Sequence, residues 1–263
     1  ALLLRRTGLS PLYAVPYALY VGQVACFWRD LAEPLAYTLV AAALLIWRAD
    51  RLWPTCIVLL AAAVTKETAL LFVAAALLHL TLRARWRALG TLVVLVIVPY
   101  ALWQAVLWRA FGQPGLAGTD HPPLLPLGGL DGARTVRQLL VALPSVVLPA
   151  LLCLGLALHG WRSIWQTRAG RQATPSGARS RLLHAHLWDA LYVLSDFPTL
   201  ALLANVALVL WLPPRSYADL WASARNAQGM VLAALAHPAF GATRLRYPLV
   251  ALWGCCAPLL WLQ

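Results

Sequence analysis

Charge is what this chain lacks. Only 11% of its 263 residues are Asp, Glu, Lys or Arg, against 62% hydrophobic, and the acids number nine. An ordinary soluble globular domain carries about 25% charged residues, so that class is excluded. Chemical motifs are equally sparse. The five cysteines contain no CxxC, which excludes a disulfide framework or a cysteine-based zinc site. No Walker sequence, no GxSxG and no HExxH occurs, which removes P-loop nucleotide hydrolysis, the hydrolase elbow and the zinc-protease helix. His184 and His186 have no Cys or carboxylate at metal spacing and are read as interfacial.

What is present is apolar length. The uncharged stretch from Ala88 to Trp108 alone matches the ~20 residues that cross a bilayer core of ~30 Å. Polar punctuation divides the chain into nine candidate segments: 7–28, 31–47, 52–65, 67–82, 88–108, 138–159, 188–211, 226–242 and 247–262. Leu, Ala and Val without strand-like alternation select helices, because backbone in hydrocarbon must satisfy its own hydrogen bonds. The expected architecture is all-α: one polytopic transmembrane helical bundle over residues 1–263, of about nine membrane segments including a short helical hairpin. Two long connections interrupt it. Residues 109–137 are rich in Pro and Gly and form a long extracytoplasmic loop. Residues 160–187, with five arginines and no acid, form a basic cytoplasmic loop that contacts anionic lipid.

One stretch decides the topology. "AAAVTKETALLFVAAALLHL", residues 61–80, sets Lys66 beside Glu67 in an apolar run. A single helix would bury both near mid-bilayer, at about 2.5 to 3.5 kcal/mol for each charge. A hairpin puts them at its tip. With the hairpin, 14 of the 21 basic residues share one face, among them Arg48, Arg51, Arg83, Arg85 and Arg87, and the positive-inside rule makes that face cytoplasmic. Each arm then measures roughly 20 to 24 Å at ~1.5 Å per residue, which sinks the tip below the outer surface and suggests a water-filled cavity. Because topology accounts for the basic charge, no nucleic-acid partner is expected.

The acids fall mainly on the outer side: Asp30, Glu33, Glu67, Asp120, Asp131 and Asp219. Asp196 stands apart, a lone carboxylate inside segment 188–211 that favours protonation for want of a charge partner. Bland roles compete with functional ones here. Asp30 and Glu33 in "RDLAEPLA" have capping-box spacing, and Thr65, Glu67 and Thr68 fit a helix start. Lys66 does not, since a cation at a helix N-terminus opposes the helix dipole, and it calls for an anionic partner. Above the tip, the 109–137 loop supplies Arg109, Asp120 and His121, which either order around a substrate or simply belong to a connector.

The succession of "RDLAEPLA", a short hairpin tipped by "TKET", the cluster "RARWR", a span and the loop "FGQPGLAGTDHPPLLPLGGL" resembles the multi-pass bacterial glycosyltransferases of the GT-C superfamily, the cell-surface glycopolymer type. The likeness is strongest over residues 20–135, and "LPPRSYADLWASARNAQGMVLAAL" shares the general look. It implies a protein of the bacterial inner membrane that transfers a sugar from a polyprenyl-phosphate-linked donor to a glycan or lipid acceptor at the outer face. On that analogy Lys66, assisted by Arg29 or Arg109, meets the donor phosphate. Glu67 positions Lys66 or the acceptor hydroxyl, and Asp30 or Glu33 takes the acceptor proton. No dedicated metal site is expected, although outer carboxylates could hold a divalent ion with a substrate phosphate.

The chain departs from the pattern at its start. Such enzymes carry a catalytic Asp in the first outer loop, and the matching stretch would lie before Ala1, so a fragment is expected. A transporter or flippase lined by the same charges, and a non-catalytic membrane subunit, stand as the competing classes.

Overall fold

The computed structural model describes residues 2–6, 9–29, 31–113, 123–132, 135, 138–139, 142–169, 196–237, 240 and 243–255. The described residues form helices and turns, so the all-α class stands. Leu2–Arg6 (α1), Ala14–Ala18 (α2) and Val21–Trp28 (α3) are short. They are followed by Glu33–Arg48 (α4), Leu52–Thr65 (α5), Leu70–Leu82 (α6) and Trp86–Phe111 (α7). The second half contains Leu148–Ala169 (α8), Phe197–Leu210 (α9), Pro214–Ala218 (α10), Leu220–Asn226 (α11), Gln228–Ala236 (α12) and Arg246–Cys255 (α13).

Helix length does not support the expectation of nine spans. Among the described residues only α7, with 26 residues, is long and apolar enough to cross a membrane. Leu52–Thr65, Glu67–Leu82, Leu143–His159 and Phe197–Leu210 are shorter apolar helices of 10 to 17 residues. Two segments are interrupted among the described residues. Segment 7–28 breaks into a 3₁₀ turn and two short helices around Pro11 and Pro16. In segment 226–242 helix α12 ends at Ala236, where His237 turns to extended backbone.

The expected hairpin is there. Lys66 takes extended backbone angles (φ −153°, ψ 126°), which ends α5, and one 3₁₀ turn, Glu67–Ala69, starts the return. The arms come back to one level: Asp50, just before α5, lies 3.7 Å from Arg85, just after α6. At the same end Trp47 meets the His79 ring edge-on at 5.6 Å. Hence Arg48, Arg51, Arg83 and Arg85 gather at the foot, as the charge count required.

Around the hairpin, α4 packs along α5, while α6 packs on α9 and α9 on α12. Helix α4 buries Glu33, Ala36, Tyr37, Val40, Ala43 and Leu44, one face at 3.6-residue spacing. All nine residues of α12 are buried, so this helix, apolar nearly all round, is the centre of the core. Helix α7 lies against both arms and widens to a π-helical stretch over Val93–Ile97, two residues before Pro99. The same pairing recurs at Leu143–Val147, two residues before Pro149. In each case the proline lacks the N–H that would close an ordinary α-turn, and the wider turn absorbs the fault.

Candidate functional site

At the hairpin tip four charges of alternating sign form a chain. Lys66 Nζ lies 2.9 Å from Glu67 Oε1 and 3.5 Å from Glu33 Oε1. The same Glu33 oxygen is 3.1 Å from Arg225 Nε. The order is Glu67, Lys66, Glu33, Arg225, with no net charge. Exposure is graded along it: the Glu33 side chain is 4% exposed, Lys66 20%, Arg225 31% and Glu67 48%. A carboxylate as deep as Glu33 is tolerable only with opposite charge close by, and it has two cations. The Arg225 Nε–H is not aimed at the Glu33 oxygen, because that nitrogen has no aligned hydrogen-bond acceptor. The pair is therefore ionic by distance rather than a directed bond.

Local structure explains how these residues meet. Glu33 opens α4, and Tyr37 sits one turn later on the same face. The Tyr37 hydroxyl shares a 2.9 Å hydrogen bond with Thr68 Oγ1, tying α4 to the hairpin tip. Arg225, in the last turn of α11, comes from far along the chain. It is delivered by a close approach of α11 to α3, at which a side chain on Gly22 would collide with the Ala224 carbonyl. Gln228 secures this contact by donating to the Gly22 carbonyl at 2.8 Å and to Cys26 Sγ at 2.9 Å. Its own Oε1 is buried without a partner among the described residues, leaving an acceptor beside the cluster.

Of the residues expected at the site, Glu33, Lys66 and Glu67 come together. The capping alternative stands in part: Glu33 and Glu67 each occupy the first turn of a helical element, where an acid is favoured, but side-chain caps are missing where they can be checked. The residue before α4, Ala32, makes no side-chain cap, and Glu33 faces cations rather than backbone amides. Thr65 bonds back to the Ala61 carbonyl, and Thr68 goes to Tyr37. Arg29 is adjacent but committed: its guanidinium lies over the Trp221 ring, 5.0 Å from the centroid, one turn before Arg225. Arg109 does not join. It is exposed near the end of α7, and none of the four charges pairs with it among the described residues. Asp30, Asp120 and His121 lie outside the described residues.

The described residues that follow in the connecting loop are tied to the helices. Leu127 N–H donates to the Leu210 carbonyl, and Gly129 sits where a side chain would strike the Leu212 carbonyl. Thr135 and Gln138 form a reciprocal capping box at 3.1 and 3.2 Å, and Gln138 reaches the Ala218 carbonyl at 2.9 Å.

Asp196 is not the lone carboxylate expected from the sequence. It occupies the N-cap position of α9, without a side-chain cap bond, at the foot of the hairpin and within electrostatic reach of His79, Arg83 and Arg48. Burial raises its carboxyl above the usual carboxylate range, and those three basic groups oppose the rise. The foot also holds a cavity of about 390 Å³ lined by Leu2, Leu45, Ile46, Ala49, Arg51 and Pro54. It lies at the opposite end of α4 from Glu33, so it is no part of the charged cluster. Among the described residues no three His, Cys, Asp or Glu side chains gather as metal ligands would.

No known protein family, curated protein or solved structure matches this chain.

Proposed function

We propose that the protein is a polytopic membrane glycosyltransferase of the bacterial inner membrane, moving a sugar from a polyprenyl-phosphate-linked donor to a cell-envelope acceptor at the outer face. The observation that carries this reading is the Glu67–Lys66–Glu33–Arg225 chain at a hairpin tip. Membrane residence is supported by α7, which begins well inside the chain and whose most apolar window is only 17% buried. Trp86, Val94, Val98, Leu102, Val106, Trp108 and Phe111 all face outward, far more exposed apolar surface than a water-facing helix carries. The shorter helices then serve as bundle elements around it.

In this reading the four charges divide the work. Lys66 and Arg225 meet the donor phosphate, and Glu33, buried between them, fixes their positions instead of taking a proton. Glu67, the most exposed acid, is the base. It accepts the proton of the acceptor hydroxyl as that oxygen bonds to the anomeric carbon. The bond from that carbon to the phosphate oxygen breaks, and its electron pair leaves on the lipid phosphate, stabilised by the two cations. No step requires a metal, and the outer carboxylates leave room for one with the substrate.

The test is sugar transfer from a polyprenyl-phosphate donor in membranes carrying Lys66→Ala, Glu67→Gln or Arg225→Ala, with insertion checked in parallel. Loss of one general base costs about 10² to 10⁴ in rate. Unchanged transfer in Lys66→Ala and Glu67→Gln would sink the assignment and move the permease reading ahead, in which the same charges line a path.

A further inference from the structure

The foot of the hairpin carries features that the tip does not use. Residues 48–51 and 83–87 hold five arginines, Arg48, Arg51, Arg83, Arg85 and Arg87, against the single acid Asp50. Most have other business. Arg48 donates to the Ala236 carbonyl at 2.9 Å, the last carbonyl of α12, and Arg85 pairs with Asp50. Arg83 is close enough to Asp196 to feel its charge. Arg51 has no carboxylate partner among the described residues. It stands at the N-cap of α5, a 14-residue helix with neither a side-chain cap nor an acid in its first turn. Positive helix-end potential and a guanidinium therefore share this end of α5.

That end opens into the 390 Å³ cavity, of which Arg51 is the polar wall and Leu2, Leu45, Ile46, Ala49 and Pro54 are the apolar wall. The cavity is an open groove, large enough to hold part of a small molecule along one side. Trp53 and Trp86 flank the foot, both largely exposed, as aromatic side chains do at the headgroup level of a bilayer. A ligand that satisfies all of this has one phosphodiester and a hydrocarbon chain.

We infer that the foot of the hairpin is a binding site for an anionic glycerophospholipid of the cytoplasmic leaflet, its phosphate on Arg51 and its upper acyl carbons along Leu45, Ile46 and Pro54. The site is separate from the charged cluster and would brace α4 against α5 from below. The inference rests on the membrane reading above, and the experiment separates the two.

The full chain is expressed in membranes, tested for resistance to alkaline extraction, then reconstituted with phosphatidylcholine alone or mixed with phosphatidylglycerol. Retained lipid is counted by native mass spectrometry. Wild type keeps phosphatidylglycerol in preference to phosphatidylcholine. Arg51→Gln loses about fivefold of that retention, the worth of one arginine at an anionic surface. Arg51→Lys keeps most of it, and Ala49→Trp, which fills the cavity and leaves every charge in place, loses it. No preference in wild type, or Arg51→Gln binding as wild type, overturns the site. So does loss in Arg51→Gln alone with Ala49→Trp unaffected, which is diffuse attraction and not a pocket. A chain released by alkaline extraction removes the membrane reading itself, whereas an integral chain without lipid preference removes only this inference.

Discussion

Glu33→Gln is the sharpest perturbation of the charged cluster, because it removes one charge and almost no volume. Glu33 Oε1 faces Lys66 at 3.5 Å and Arg225 at 3.1 Å, and the side chain is 4% exposed. At an effective dielectric of about 20 each pair is worth about 5 kcal/mol in gross attraction. Desolvating the carboxylate takes back several kcal/mol. The cations left behind also differ: Lys66 keeps Glu67 at 2.9 Å, whereas Arg225 keeps no acid among the described residues. Breaking a buried pair from one side typically costs about 3 to 5 kcal/mol, and the partial exposure of both cations places this loss near the lower figure. At roughly 2 to 4 °C per kcal/mol for a chain of this size, the midpoint should fall by about 6 to 12 °C.

Thermal unfolding in detergent measures the fall, and a double-mutant cycle with Arg225→Gln isolates the pair. If Glu33 is there to hold Arg225, the double variant is less damaged than the sum of the singles by about 1 to 3 kcal/mol. A Glu33→Gln protein as stable as wild type, or an additive cycle, would refute the ionic account of the cluster.

Other perturbations follow from the same geometry. Gly22→Ala should cost about 1 to 3 kcal/mol by pushing α11 off α3 and should weaken any function that depends on Arg225, whereas Gly90→Ala, with open space around it, should be neutral or stabilising by up to about 1 kcal/mol; melting temperatures of the two separate them. Tyr37→Phe removes the 2.9 Å bond to Thr68 and should lower stability by about 1 kcal/mol, seen as faster proteolysis at the hairpin tip. Asp196 binds its proton more tightly folded than unfolded, since burial raises its pKa, so its contribution to stability is present below the ordinary carboxylate pKa and is lost as pH rises through the raised one. Asp196→Asn should flatten that slope, read by pH-dependent unfolding. Asp50→Ala, which breaks an exposed pair at 3.7 Å, should change stability by less than about 1 kcal/mol, and less still in high salt.

The hairpin was legible because two independent sequence features required it: a charged doublet in an apolar run, and arginines that share a face only if the chain turns there. Glu33 and Glu67 were legible as acids but not as partners, since nothing in "RDLAEPLA" states that its glutamate meets a lysine 33 positions away. Arg225 was missed altogether. Its selection depends on the close approach at Gly22 and the Gln228 bonds, which join residues some 200 positions apart and leave no local pattern. Span count is hard to read from sequence for a similar reason. Hydropathy measures how apolar a stretch is, but Pro11, Pro16 and the break at Ala236 decide how much of it can be one helix.

Short helices and a buried glutamate are two sides of one arrangement. The arms of the hairpin have 14 and 13 residues, about 20 Å each, while α7 beside them runs 26 residues, about 39 Å. Their feet are level, since α7 begins directly after the Arg85 that meets Asp50. The difference in length therefore accumulates at the other end and sets Lys66 and Glu67 roughly half-way along α7. At that depth a lysine needs more than one exposed acid, and Glu33 supplies the second from within. A buried Glu33 in turn needs a second cation, which Arg225 supplies across the Gly22 contact. Lengthening both arms by one helical turn each should lift the tip by about 5 Å, expose Lys66 to water and uncouple it from Glu33. In that variant Glu33→Gln should no longer weaken the Lys66 end of the cluster, and a cycle between residues 33 and 66 that kept its full coupling would show that depth does not set the arrangement.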